Sequence, residues 1–332
     1  MRLSQPLFYS PGFQFSSSSE LLRAVDGHCS PDELADINSL FERCLPAVTS
    51  RLVLATLLGV NPGLIWSFQY RTRHYYRFFS IPKGQGKREI QAPKVALKLV
   101  QKWLATVFSS KLQFSDHVFG FVPGRSHIDA ALEHVGAHWI FGVDIRDFFR
   151  STPKLLVQSK LQDLGYSING ASLLASISCL DGFLAQGSPA SPVLSNLCFT
   201  EWDIQLKALA EKHNCRMTRY ADDIVFSGVG TCPAELEMEV KGVIGSSPWS
   251  LAPEKIESHA LPHRLKVHGL LVDGPIPRLT KGYRNKLRAF EHILLRKDIS
   301  IADRARLSGH VIYSKHVVQR IKINQNANVS LK

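Results

Sequence analysis

Residues 217–228 read Met-Thr-Arg-Tyr-Ala-Asp-Asp-Ile-Val-Phe-Ser-Gly. Two apolar-rich arms flank Ala221-Asp222-Asp223, which predicts two short strands joined by a tight turn. Adjacent carboxylates half-buried between such arms repel and cost free energy unless a cation neutralises them. Earlier in the chain the apolar run Trp139-Ile140-Phe141-Gly142-Val143 ends at a third carboxylate, Asp144. Three carboxylates converging on one sheet make an oxygen-rich site suited to Mg²⁺. Two such ions, roughly 3.5–4 Å apart, activate an attacking hydroxyl and stabilise a leaving pyrophosphate. A bare Asp-Asp pair is common in surface turns. The apolar flanks, and the blocks described below, set this one apart.

Charge points the same way. The chain of 332 residues carries 40 Lys and Arg against 28 Asp and Glu, a net +12. Residues 51–125 hold 12 basic and 2 acidic side chains, and residues 255–332 hold 16 and 5. Residues 126–254 hold 9 and 15, and residues 1–50 hold 3 and 6. A solubilising surface mixes its signs. An acidic middle between basic flanks suits a protein that grips a polyanion from two sides. A chance distribution in a basic protein is the competing account.

With 45% apolar and 20% charged residues, the chain is not of disordered composition. Its longest apolar run, Leu52 to Val60, is too short to cross a bilayer. The start, MRLSQPLFYSPGFQFSSSSE, lacks the apolar core and cleavage site of a signal peptide. Six cysteines form no C-x-x-C, which argues against a zinc site or a disulfide scaffold. The composition predicts a soluble, cytoplasmic protein with no membrane partner.

The local pattern is helical over 20–25 and 30–60, with Ser30-Pro31 as a cap and first helical residue. Arg71–Phe79 and Ile81–Ile90 read as two strands joined by a Gly-rich turn. Lys94, Lys98 and Lys102 recur every four residues, opposite Leu97, Val100 and Leu104, so one helix face is basic. That face suits phosphate, or is simply solvated. Val267–Val272 reads as a further strand. From Lys281 onward the period is helical, with Tyr283, Leu287, Phe290 and Leu294 on one face and Lys281, Arg284 and Arg288 on another.

Three ordered blocks carry a resemblance. Tyr220-Ala221-Asp222-Asp223 resembles the catalytic box of reverse transcriptases, Phe141–Phe149 their first aspartate box, and Gln186-Gly187-Ser188-Pro189-Ala190-Ser191-Pro192 the box between. The likeness runs from about residue 70 to about residue 300. It implies an α+β fold of right-hand polymerase architecture. The N-terminal helical region would span 1–70, fingers 71–135, a palm of antiparallel sheet and helices 136–262, and a small helical thumb with the C-terminal tail 263–332.

By the same resemblance Asp144, Asp222 and Asp223, with Ile145, hold two Mg²⁺ ions, Mn²⁺ being able to substitute. Phe149 is the steric gate that selects deoxynucleotides. Gln186 and Gly187 line the incoming nucleotide, and Lys87 and Arg88 hold its triphosphate, with Lys83 a weaker candidate. Lys255 follows the hairpin where a lysine protonates the leaving pyrophosphate. Lys94, Lys98, His268, Gly269, Lys281, Arg284 and Arg288 contact RNA.

Within the family the bacterial retron type is the nearest in pattern, on Val118-Phe119-Gly120-Phe121 and Gly124-Arg125-Ser126. Two blocks depart from it. Ala130-Ala131-Leu132-Glu133-His134 lacks an Asn at its start, and Val267-His268-Gly269 has His for Thr. As lone histidines, His134 and His268 each also read as satisfied core residues. The resemblance implies an enzyme that copies a dedicated noncoding RNA into DNA, with dNTPs as substrates, an RNA–DNA hybrid as product and an effector or toxin protein as partner in antiviral defence. The alternatives are a related defence enzyme making a linear or repetitive cDNA, and a non-catalytic RNA-binding scaffold.

Overall fold

The computed structural model describes residues 10–330 except 85 and 297. Residues 1–9, where the signal-peptide reading begins, the side chains of Lys83 and of residues 325–330, and the last two residues of the tail lie outside the description. Helices α1 (Ser18–Val25), α2 (Pro31–Glu42), α3 (Arg51–Leu58) and α4 (Pro62–Tyr70) come first. Each starts on a side-chain cap: Ser17, Ser30, Ser50 and Asn61 accept backbone N–H bonds of the first turn. Pro31 and Pro62 occupy the first turn, where a missing N–H costs nothing.

A single 3₁₀ turn, Thr72–Tyr75, leads into the antiparallel hairpin of β1 (Tyr76–Lys83) and β2 (Gly86–Pro93). The turn falls in the Gly-rich stretch as expected, but the first strand runs on to Lys83 rather than ending at Phe79. Ile81 to Lys83 still pair with Arg88 to Gly86, and Gly84 makes the turn at φ +58°. Helix α5 (Val95–Lys111) buries Leu97, Val100 and Leu104 as its period predicts and leaves Lys98 exposed, with Lys94 as its cap. Then come α6 (His127–Glu133), β3 (Trp139–Asp144), α7 (Lys154–Asp163) and α8 (Ile168–Ser178). A short hairpin, β4 (Cys179–Leu180) with β5 (Phe183–Leu184), precedes α9 (Ser191–Lys212). Strands β6 (Arg216–Tyr220) and β7 (Asp223–Gly228), helix α10 (Leu236–Gly245) and β8 (Glu257–Ala260) complete the central part. The last part holds β9 (Lys266–Val267), β10 (Leu270–Leu271), β11 (Arg278–Leu279), α11 (Lys281–Leu294) and α12 (Ile301–Ser330).

The central sheet runs β6-β7-β3-β8, antiparallel throughout. The two central strands, β3 and β7, are covered on both faces, which explains why they read as apolar runs. Trp139, Phe141, Val143, Ile224 and Phe226 enter the main core with α1–α5 and α7–α10. The alternate residues Ile140 and Val225 enter a second core with Leu265, Val267, Leu270 and Val317. The α+β class, an antiparallel sheet with helices, is therefore as expected.

The strand expected over Val267–Val272 is instead a hairpin. His268 and Gly269 both have positive φ, +47° and +86°, the sign pattern of a type I′ turn. Beyond it α11 packs on α12, with Leu287 buried and Tyr283 bonded to His310 at 2.9 Å.

Candidate active site

The turn between β6 and β7 has two residues, Ala221 and Asp222, with Tyr220 and Asp223 paired across it. Ala221 has φ +61°, as the first corner of a type II′ turn requires. Asp223 is the cross-strand partner of Asp144, and the Ile145 N–H donates to the Asp222 carbonyl at 2.9 Å. Register alone thus brings all three carboxylates to one end of the sheet. Burial pushes the Asp144 carboxyl above the usual carboxylate range. The Lys255 ammonium opposes that shift, and the charges of Asp222 and Asp223 add to it.

Two side chains from outside the sheet hold these carboxylates. Lys255, on the 3₁₀ turn Pro253–Lys255, donates to Asp144 Oδ1. His268 Nδ1 lies 3.1 Å from Asp223 Oδ2, while its Nε2 is buried without a hydrogen-bond partner. No three carboxylate, imidazole or thiol groups among the described residues form a ready metal cage. The donor chemistry still fits a hard divalent cation: three carboxylates crowd one strand end, and an ammonium already neutralises one of them. Asp144, Asp222 and Asp223, with the backbone of Ile145, are the groups that could hold it.

A buried network fixes the hairpin from behind. Arg219 and Asp203 are both almost fully buried and pair through two bonds of 2.6 Å. Arg219 also donates to Asn196 Oδ1 and to the Ala221 carbonyl, both at 3.0 Å. The guanidinium lies 4.8 Å from the centroid of the Phe199 ring. The Asn196 amide donates to the Gly120 carbonyl at 2.9 Å. Gly120 itself presses on the turn, where an added Cβ would meet the Ala221 nitrogen at 2.1 Å. From the other side His134, fully buried, bonds Ser227 of β7 and Thr218 of β6, each at 2.7 Å. It is the satisfied core histidine that a lone His suggests, and burial pushes its pKa down to about 3.

Beside the carboxylates opens a cleft of about 360 Å³, whose lining includes Arg88, Phe121, Phe149, Gln186, Asp222 and Lys255. Phe149 packs on Phe121, their rings 5.7 Å apart. Gln186 is tied to β2, its carbonyl accepting from the Gln91 N–H at 2.8 Å. Gly187 has φ +131°, and an added Cβ would meet the Gln91 carbonyl oxygen at 2.8 Å, so only glycine lets the two segments approach. Lys87, next to Arg88 on β2, is exposed and does not line the cleft, since successive strand residues face opposite ways.

Among the residues expected to meet RNA, Lys94, Lys98, Lys281, Arg284 and Arg288 are exposed. His268 is not: its ring turns inward onto Asp223 and lies 5.3 Å from that of Tyr220. The hairpin at Val267–Leu270 causes this, because the left-handed turn re-aims the side chain towards the sheet. Sequence reasoning placed Gly120 and Phe121 in a family block without giving them a role, and missed the Asn196–Asp203–Arg219 network. A signal for the last was present. Arg219 interrupts an apolar strand, and Asn196 and Asp203 stand seven residues apart on one helix face.

A family model described as reverse transcriptase (RNA-dependent DNA polymerase) matches residues 81–259. The chain is 31% identical over 308 residues to the retron Mx65 reverse transcriptase of Myxococcus xanthus, covering 86% of this chain and 72% of that protein. Identity to the retron Mx162 enzyme of the same organism is 29% over 312 residues, or 80% of this chain and 64% of that one. Identity to the retron Ec86 reverse transcriptase of Escherichia coli is 34% over 167 residues, about half of each protein (49% and 51%). With its three sequence boxes folded around one cleft and relatives of this kind matched along most of its length, the chain belongs to the bacterial retron-type reverse transcriptases, which are RNA-directed DNA polymerases.

Proposed function

We propose that this chain copies a dedicated structured noncoding RNA into DNA, priming from RNA, to give the branched RNA–DNA product of a retron. The product would act in the cytoplasm with an effector protein in antiviral defence. The matched relatives are named as retron enzymes, which supports this choice of RNA. The observation that carries the chemistry is the meeting of Asp144, Asp222 and Asp223 at the mouth of a cleft that also holds Arg88, Gln186 and Phe149.

In this reading the three aspartates and the Ile145 backbone would hold two Mg²⁺ ions, which when bound activate the priming hydroxyl and stabilise the leaving pyrophosphate. Lys255 donates to Asp144 before the substrate arrives and has a proton to give. His268 orients Asp223 through its Nδ1. Arg88 takes triphosphate oxygens through a planar fork of donors. Gln186, anchored to β2, sets the floor for the base and sugar. Phe149, backed by Phe121, fills the space that a 2′-hydroxyl would need. The exposed Lys281, Arg284 and Arg288 of α11, with Lys94 and Lys98, contact RNA phosphates without reading bases.

Extension of a primed RNA template with dNTPs and Mg²⁺ tests the chemistry. Asp144→Asn is expected to abolish extension while RNA binding persists. Extension within about tenfold of the unmodified enzyme, a barrier change of only ~1.4 kcal/mol, would remove Asp144 from the mechanism.

A further inference from the structure

Away from the cleft, one face of α4 carries aromatic rings where a surface helix ordinarily carries charge. Trp66 and Tyr70, one helical turn apart, are 40% and 62% exposed, with ring centroids 5.4 Å apart. Arginines lie over the rings. The Arg71 guanidinium is 5.3 Å from the Trp66 centroid, Arg51 of α3 is 6.0 Å from Tyr70, and Arg73 is 4.6 Å from the exposed Phe78 of β1. The core does not need these rings, because α4 is fixed by Ile65 and Phe68 on its buried face. A hollow of about 320 Å³ adjoins them, lined by Tyr70, Arg71, Thr72, Arg73 and His74 and closed by Leu180 and Asp181. Asp181 is the acidic group there and is paired with Arg73, so the surface around the rings is cationic.

Exposed rings layered with guanidinium groups match unpaired nucleic acid. Bases stack on the ring faces and arginines meet the phosphates, without preference for sequence. A duplex hides its base faces and would engage only the charges. A membrane helix needs a long continuous apolar face, whereas α4 has nine residues and spends its apolar side on the core. We propose that Trp66, Tyr70, Arg71 and Arg73 form a platform for single-stranded RNA. The platform stands at the root of the β1–β2 hairpin, and β2 carries Arg88 to the cleft. The strand it holds is the unpaired flank of the template. That last identification rests on the polymerase reading, and the platform itself does not.

The test uses the full-length protein without dNTPs and an unstructured oligoribonucleotide of about a dozen nucleotides. Trp66→Ala with Tyr70→Ala is expected to weaken single-strand binding at least about 30-fold, about 2 kcal/mol, through the loss of two stacked bases. Binding of the matching RNA duplex should change less than about threefold. Trp66 is the exposed one among the tryptophans, so its fluorescence reports stacking. Trp66→Phe should keep the affinity and lose the quenching, which guards against a misfolded alanine variant. Equal loss for single strand and duplex overturns the proposal, as does unchanged single-strand binding. So does loss of binding to anionic vesicles with RNA binding intact. Failure of the Asp144→Asn test would leave the binding result standing on its own.

Discussion

Removing the buried cation behind the Ala221-Asp222 turn separates folding from the positioning of the candidate site. Arg219 is fully buried, and Asp203, its bidentate partner, has a side chain 2% exposed. Arg219→Met strands an ionised Asp203 in the core, at a cost of about 3–5 kcal/mol. For a chain of this size that lowers the melting temperature by roughly 4–7 °C. Adding Asp203→Leu removes the stranded charge, and stability should return to within about 1 kcal/mol of the unmodified protein. Catalysis should not return, because the Ala221 carbonyl and the Asn196 amide have both lost a donor. A displacement of about 1 Å at reacting groups costs on the order of 100-fold in rate. Thermal melts and single-turnover primer extension on the single and double variants are the assays. A double variant that regains both stability and rate would refute a positioning role. A single variant melting within about 2 °C of the unmodified protein would refute the buried-charge argument.

Gly120→Ala forces a methyl group against the Ala221 nitrogen, which as backbone cannot yield, so extension should fall by at least about 100-fold while the melt shifts by only a few degrees. His134 sits neutral in the fold with its pKa pushed from 6.5 down to about 3 by burial, helped by the nearby Arg216 and His268 charges. The unfolded chain therefore binds its proton first as pH falls. The stabilisation is complete above about pH 6.5 and is lost towards pH 3. His134→Gln should flatten that acid limb in urea midpoints measured at several pH values, and an unchanged slope would show His134 already charged. His117 and His127, shifted the same way, keep part of the slope. Phe149→Ala should admit ribonucleotides, read as incorporation of rNTP against dNTP on a primed RNA template. Unchanged discrimination in an active variant would make Phe149 an ordinary packing residue.

Much of the site was legible because it is local. The Ala221-Asp222 turn and the Trp139–Asp144 strand announce themselves as apolar runs ended by carboxylates, and the period of α5 places its lysines outward. What escaped the sequence depends on distant contact. Lys255 reaches Asp144 across 111 positions, and nothing near either residue signals it. Strand β8, Glu-Ser-His-Ala, is an exposed edge with no alternation to read. The Val267–Leu270 hairpin was hidden because its turn puts histidine at a left-handed position usually filled by Asn or Gly. The inward aim of His268 follows from that one turn.

The proposed function requires that this chain make DNA from its own RNA. Sequencing the nucleic acid that copurifies with the unmodified protein and with the Asp222→Asn, Asp223→Asn variant tests it most directly. The account predicts one structured RNA in both preparations, joined through a branch to complementary single-stranded DNA in the unmodified protein alone. DNA recovered equally from the carboxylate variant, or RNA without DNA from the unmodified protein, would contradict it.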